Sequence, residues 1–248
     1  TRLVTGSGDK TVKVWRMSDF SVVCTLKGHA GWVRDVCFSP YDTMVASASD
    51  DHTVALWRVA VGEEGCRLRT FWHPSPVTCC AFRPTGDDTW CMVVSGCKDS
   101  RVRLWEVTCA NGTAISGSST TCRTAGHNVD NVPVLTLEGH SSWVRSCAFS
   151  ADGAWLCTAS ADESVRVWSM EDGTCVATLE GHFNGGVFQA VFTPDGASIL
   201  SASEDGTAKT WNCAHVMVPA TRPLRDSGTG SSWQCGARWW PPAPTHVS

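Results

Sequence analysis

The sequence predicts an all-β fold assembled from about five copies of one unit, and three observations predict it. A Trp follows an Asp by six residues five times, at Trp15, Trp57, Trp105, Trp168 and Trp211 behind Asp9, Asp51, Asp99, Asp162 and Asp205. Each Asp lies four residues after a hydroxyl side chain, namely Thr5, Ser47, Ser95, Thr158 and Ser201. Between these anchors the chain breaks into short apolar or alternating runs separated by turn residues, without sustained helical periodicity. A fixed spacing that returns along most of a chain marks a stacked supersecondary repeat.

The elements of one unit can be taken in order. Arg34 to Phe38 is a strand-like run, closed by the turn signal Ser39-Pro40. Met44 to Ser47 is a second, followed by the turn pair Asp50-Asp51, and Thr53 to Trp57 is a third. A run such as Val22 to Leu26 supplies a fourth and leads into Gly28-His29. That His is a further anchor, repeated as His73, His140 and His182. An apolar series follows each one: Val33, Val36 and Phe38, then Val77, Cys80 and Phe82, then Val144, Cys147 and Phe149, then Val187, Ala190 and Phe192. The last series starts one residue late, which places an insertion between His182 and Val187.

These residues resemble the WD40 repeat family. Its signature is Gly-His near the start and Trp-Asp near the end of a unit of about 40 residues, folded as one four-stranded blade of a β-propeller. Gly28-His29, Gly139-His140 and Gly181-His182 match, whereas the third unit has Trp72-His73. The closing pair departs from Trp-Asp throughout: Trp15-Arg16, Trp57-Arg58, Trp105-Glu106, Trp168-Ser169 and Trp211-Asn212. The resemblance covers roughly residues 1–211 and implies this division: 1–27 a partial first blade, 28–72 a second, 73–138 a third, 139–180 a fourth and 181–211 an incomplete fifth. The first blade would lack its inner strand. The fifth would lack a convincing outer strand, with Val216 to Val218 as a candidate, and its third strand reads as weak because Ala208 and Thr210 replace Val or Leu. Five incomplete blades leave open strand edges, which invite aggregation. The chain starts at Thr1, shows no signal peptide and is expected to be a fragment or truncated product, completed by its parent chain or by a partner.

Two segments fall outside the repeat. Residues 108–132, rich in Ser, Thr, Gly and Asn, read as a disordered surface insertion or as a binding loop. The tail, 212–248, carries Trp233 and Trp239-Trp240-Pro241-Pro242, and reads as disordered or as a Pro-rich ligand.

The resemblance implies that the repeated polar residues meet inside each blade. The sets are His29, Ser47, Asp51 and Trp57; His73, Ser95, Asp99 and Trp105; His140, Thr158, Asp162 and Trp168; His182, Ser201, Asp205 and Trp211; with Thr5, Asp9 and Trp15 in the first blade. A carboxylate accepts from turn amides and a His N–H, while the Trp indole and the other His nitrogen meet the hydroxyl. Ser, His and Asp also invite a catalytic reading. A catalytic set occurs once per site, however, and a constellation repeated in every blade serves the blade. No catalytic residue is therefore expected.

Function then falls to the rims, where loops on a rigid scaffold meet partners. In this family the residues three and five after the repeat His often touch partners: Trp32 and Arg34, Pro76 and Thr78, Trp143 and Arg145, with Phe188 assigned in the fifth blade. The residue before the turn Asp joins them, as Asp50, Lys98, Ala161 and Glu204. Trp and Arg are enriched at binding hot spots, yet the two Trp could equally cap sheet edges.

Composition excludes several other classes. Formal net charge is −4 with no basic run, so direct nucleic-acid binding is not expected. No apolar stretch suggests a membrane span. The fourteen cysteines are scattered, and many stand at strand positions where other repeats have Val or Ala. They read as reduced and intracellular, cytoplasmic or nuclear, rather than as a disulfide framework or zinc site. No phosphate loop or zinc-protease motif appears, so no cofactor, metal or small-molecule substrate is expected. The reading is a non-catalytic scaffold for proteins or peptides. Its alternative is the substrate-recognition or regulatory region of a larger enzyme such as a kinase or ubiquitin-ligase complex.

Overall fold

The computed structural model describes residues 1–59, 65–85, 90–108 and 131–213, and all of its regular elements are strands. The first sheet contains β1 (Arg2–Gly6), β2 (Thr11–Arg16) and β3 (Val22–Lys27). The second contains β4 (Val33–Phe38), β5 (Met44–Ser49), β6 (Thr53–Arg58) and β7 (Cys66–Trp72). The third contains β8 (Val77–Phe82), β9 (Trp90–Cys97), β10 (Val102–Thr108) and β11 (Leu135–Leu137). The fourth contains β12 (Val144–Phe149), β13 (Trp155–Ser160), β14 (Ser164–Ser169) and β15 (Cys175–Glu180). The fifth contains β16 (Val187–Phe192), β17 (Ser198–Ser203) and β18 (Ala208–Asn212). Each is an antiparallel meander in sequence order, so the fold class read from the sequence holds: among the described residues, three four-stranded blades are flanked by two of three strands.

Packing between the sheets explains the sequence pattern. Four buried clusters fill the four seams between consecutive blades. One joins Val12, Val14, Cys24 and Leu26 of blade 1 to Val33, Val45, Ala55 and Trp57 of blade 2. The next joins Ala46, Leu56 and Phe71 of blade 2 to Val77, Cys80, Phe82 and Val93 of blade 3. A strand with a seam on both faces is buried at every position, as β5 is, and needs an unbroken run of small and apolar residues. With one seam, burial alternates: β17 buries Ile199, Ser201 and Ser203 and exposes Leu200 and Ala202.

Some expectations shift. The third strand of blade 5 forms despite Ala208 and Thr210, because Trp211 pairs with Ile199 and is buried between β17 and the seam cluster with Cys157 and Val187. It runs to Asn212, and Cys213 behind it is fully buried, so the ordered unit extends past residue 211. In blade 3, Thr108 belongs to β10 rather than to the insertion. The insertion's other end is tied down as well: the Asn131 side chain accepts the Trp72 N–H (2.9 Å) and donates to its carbonyl (3.1 Å). The readings for 109–130, Val216 to Val218 and the Trp/Pro-rich tail lie outside the described residues. Gly28 precedes its His with φ 145°, a conformation that disfavours a side chain, and a Cβ there would crowd the Arg67 guanidinium.

Candidate functional site

The repeated polar residues converge as four-membered sets in blades 2, 4 and 5. In blade 2, His29 Nδ1 lies 2.7 Å from Asp51 Oδ2 and Nε2 lies 2.7 Å from Ser47 Oγ. The Trp57 indole donates to that same Oγ at 2.8 Å. A carboxylate only accepts, so Nδ1 carries the proton and Nε2 accepts from the Ser47 hydroxyl. Blade 4 repeats this with His140–Asp162 at 2.8 Å, His140–Thr158 at 2.8 Å and Trp168–Thr158 at 2.8 Å. Blade 5 does so with His182–Asp205 at 2.7 Å, His182–Ser201 at 2.8 Å and Trp211–Ser201 at 2.8 Å. In blade 1, which has no repeat His, Trp15 still donates to Thr5 at 2.8 Å, and Asp9 accepts from Thr11.

Blade 3 departs. His73 meets Ser95 at 2.8 Å and Trp105 donates to Ser95 at 2.9 Å, but the expected His73–Asp99 bond is absent. His73 Nδ1 instead donates to the Phe71 carbonyl at 3.2 Å, and Asp99 takes both ends of the Arg103 guanidinium at 3.2 and 2.6 Å. The donors around the carboxylate differ as well. In blade 2, Asp51 accepts the Ala30 N–H and the Thr53 hydroxyl; in blade 4, Asp162 accepts the Ser141 N–H and the Ser164 hydroxyl. Blade 3 has Pro74, without an N–H, at the first position and Arg101 at the second.

The flanking hydroxyls were the residues that the sequence reading missed. Ser49, Ser160 and Ser203 accept the N–H of the turn Asp two residues on, and Thr53, Ser164 and Thr207 donate to it from two residues beyond. Their signal was available as a second periodicity, broken only where Cys97 and Arg101 stand in blade 3.

Electrostatics follow the partners. Burial would raise the Asp51 carboxyl, but hydrogen bonds from Thr53, Ala30 and His29 outweigh it and bring it down to about 2. The same contest lowers Asp162. In Asp205 the Thr207 hydroxyl is the largest influence, again downward. His73 is pushed down to about 4, first by burial and then by the Arg103 charge, with the Phe71 carbonyl resisting. His29 is lowered by burial against the pull of Asp51. Ser47, Ser95 and Thr158 have no exposed surface, and each oxygen is already engaged by an indole and an imidazole.

The rim positions form a second group. Trp32 is 55% exposed, with the Arg34 guanidinium 4.9 Å from its ring centroid. Arg34 folds back to Asp50 of its own blade, at 2.9 and 2.5 Å. Trp143 is 47% exposed, and Lys98 from blade 3 lies 4.4 Å from its ring centroid. Arg145 crosses to blade 5, meeting Glu204 at 2.6 Å and the exposed Phe188 ring at 5.1 Å. Its hydrogen bond holds the Glu204 carboxyl below the usual carboxylate range. Trp-Val-Arg thus pairs differently in blades 2 and 4: the turn residue of the blade after Arg145 is Glu204, whereas after Arg34 it is the like-charged Lys98. Thr78 differs from expectation. Its hydroxyl donates to the Gly96 carbonyl at 3.0 Å and contacts the Val144 carbonyl, so it joins blade 3 to blade 4 instead of facing outward.

Comparison with known proteins adds the family. The model for the WD domain, G-beta repeat, matches residues 1–16, 20–58, 65–106, 131–169 and 173–212. Among curated relatives, a nuclear distribution protein PAC1 of Arthroderma otae is 29% identical over 71% of this chain and 38% of its own length. A nuclear distribution protein nudF 1 of Talaromyces marneffei is 32% identical over the same shares, 71% and 38%. A transcriptional corepressor, LEUNIG_HOMOLOG of Arabidopsis thaliana, is 29% identical over 76% of this chain and 25% of its own length. The matched part of this chain thus spans well under half of these relatives.

Proposed function

The chain belongs to the WD40 repeat family, and from that premise we propose that it acts as a non-catalytic scaffold that binds other proteins or peptides on one rim. The observation that carries this reading is a division of labour among the side chains. In blades 2 to 5 the repeated Ser or Thr, His and Trp groups are buried, the Asp groups are half-buried, and in blade 2 as in blades 4 and 5 all four engage one another, which supports a structural role. Large aromatic surface remains exposed beside cations at Trp32 and Arg34, at Trp143 and Lys98, and at Phe188 and Arg145. Aromatic faces next to guanidinium and ammonium groups combine contact area with charge, a combination enriched at protein interfaces.

Relatives named for nuclear distribution and for transcriptional corepression share the repeat at equal identity. The repeat therefore supports partner binding as a class rather than either process. An intracellular location belongs to the same proposal. It is supported by eleven free cysteines among the described residues. No helix among those residues is long and apolar enough to cross a membrane.

The test is affinity capture of the whole chain and of its Arg34→Glu, Arg145→Glu double variant, with partners identified by mass spectrometry. Ion pairs between partly exposed side chains, as Arg34–Asp50 and Arg145–Glu204 are, contribute little to folding, within about 1 kcal/mol, so the variant should fold and lose partners. An unchanged partner list would remove this rim from consideration.

A further inference from the structure

The innermost strands of blades 2, 3 and 4 carry four thiols at their mutual contacts. Cys37 lies on β4, Cys79 and Cys80 on β8, and Cys147 on β12, and β8 packs against both neighbours. Successive strand residues point to opposite faces, so Cys79 and Cys80 serve different seams. Cys80 faces blade 2, where its Sγ lies 3.9 Å from Cys37 Sγ, and it belongs to the cluster that fills that seam. Cys79 and Cys147 belong to the cluster of the seam between blades 3 and 4.

The backbone holds the first pair in place. Cys80 N–H donates to Asp35 Oδ2 at 2.9 Å, and Asp35 Oδ1 accepts the Val36 N–H at 2.9 Å. One buried carboxylate thus fixes the strand segment of Cys37 against that of Cys80. A covalent S–S bond is about 2.05 Å long and joins Cβ atoms about 3.8 Å apart. Thiols already in contact from two adjacent strands need side-chain rotation and a small strand shift to reach it. The pairs differ in access: Cys37 is half-buried, while Cys79, Cys80 and Cys147 are all buried.

We propose that Cys37 and Cys80 form a modification site that reacts with small-molecule disulfides, glutathione disulfide being the representative reagent, to give a covalent bond between blades 2 and 3. The more accessible Cys37 loses its proton and attacks one sulfur of the reagent. A Cys37–glutathione bond forms, the original S–S bond breaks, and one glutathione leaves as a thiolate that takes up a proton. Cys80 then attacks Cys37 Sγ, its proton passing to the second departing glutathione. The Cys37–glutathione bond breaks and the Cys37–Cys80 bond forms. Two protein thiols are oxidised and one glutathione disulfide is reduced to two glutathiones. The neighbouring Cys37 and burial raise the Cys80 thiol well above its ordinary range, which fits Cys37 rather than Cys80 as the first attacker; Cys80 then resolves through its contact with Cys37 Sγ.

The experiment equilibrates the folded chain in mixtures of reduced and oxidised glutathione, traps free thiols by alkylation and maps bonds by mass spectrometry. Exposed Cys66 serves as the internal control, because its accessibility should let it carry glutathione. The expected result is one intramolecular bond per chain, formed in the wild type and in Cys79→Ser and Cys147→Ser. It should be lost in Cys37→Ser and Cys80→Ser, and Cys80→Ser should retain glutathione on Cys37. Circular dichroism checks that each variant keeps its strands. If Cys80→Ser does not fold, Cys37→Ser and Cys37→Ala carry the test. Modification of Cys66 with Cys37 and Cys80 both still alkylated would overturn the proposal, as would a bond that survives Cys37→Ser.

Discussion

Blades 2 and 3 stand side by side with His, Ser, Asp and Trp at matching turn and strand positions, yet they wire those side chains differently. In blade 2 the Asp51 carboxylate gathers His29, the Ala30 N–H and the Thr53 hydroxyl. In blade 3 the Asp99 carboxylate gathers Arg103, and His73 turns to a backbone carbonyl. The difference lies in the neighbours. A carboxylate half-removed from water settles where donors are most numerous, because each unmet lone pair costs free energy. Pro74 and Arg101 withdraw donors on the His side, and Arg103 offers a fork on the other. Motif spacing fixes where the turn is; the residues around it decide what the turn holds.

The largest expected effect breaks this comparison directly. Asp51→Ala strands the N–H of the buried His29 and takes the acceptor from the Ala30 N–H and the Thr53 hydroxyl, and should cost about 3 kcal/mol in urea denaturation. A double-mutant cycle between His29→Ala and Asp51→Ala should give a coupling of about 2 kcal/mol. The same cycle between His73→Ala and Asp99→Ala should give a coupling near zero, within about 0.5 kcal/mol. Equal couplings in the two blades would show that blade 3 is not wired as described.

A second test uses pH. The folded value of His73, about 4, lies below the roughly 6.5 of an unfolded histidine. The native state therefore binds its proton less readily. The stability this contributes is complete above pH about 6.5 and is lost as the pH falls toward 4. Between pH 7 and 5 the loss should be about 2 kcal/mol. Asp51, depressed to about 2, works in a lower window: its contribution is present above about 4 and disappears only as the pH falls through 2. Mild acid should thus loosen blade 3, and hydrogen exchange in β9 and β10 should speed up as the pH falls from about 7 to about 5. A His73 resonance that titrates near 6.5 would contradict this assignment, as would exchange in β9 and β10 that does not change over that range.

Much of this architecture was legible because two features of the chain are local. The Ser/Thr–Asp–Trp spacing spans a single strand–turn–strand unit, and the indole-to-hydroxyl bond it implies is present in all five blades at 2.8–2.9 Å. Strand β18 formed although Ala208 and Thr210 argued against it, because Trp211 anchors the strand and β17 supplies the ladder. What escaped the sequence depends on contacts between units. Thr78 is turned inward by carbonyls of β9 and of the next blade. Trp-Val-Arg reads identically at 32–34 and 143–145, and the residues before the turn Asp decide where the Arg goes: Asp50 draws Arg34 back within its own blade, whereas blade 4 has Ala161 there and Arg145 reaches across to Glu204. The Cys37–Cys80 contact likewise joins residues 43 apart whose proximity comes from blade stacking.

The smallest effect sharpens the comparison by removing it. A Pro74→Ala, Arg101→Thr, Arg103→Ala variant gives blade 3 the donors of blade 2, where the position of Arg103 is held by Ala55. Asp99, released from its guanidinium, then meets an N–H from residue 74, a hydroxyl from residue 101 and the His73 N–H. The change exchanges one charge-assisted pair for three hydrogen bonds, so net stability should change by no more than about 1 kcal/mol. The informative readout is His73 itself. With a carboxylate at Nδ1 and the Arg103 charge gone, both shifts that depress it are weakened or opposed, and its titration should move up by about one unit or more. If His73 in the triple variant still titrates near 4, neighbouring donors do not choose the partner of the carboxylate, and the backbone path through Trp72-His73 would have to be holding the two side chains apart.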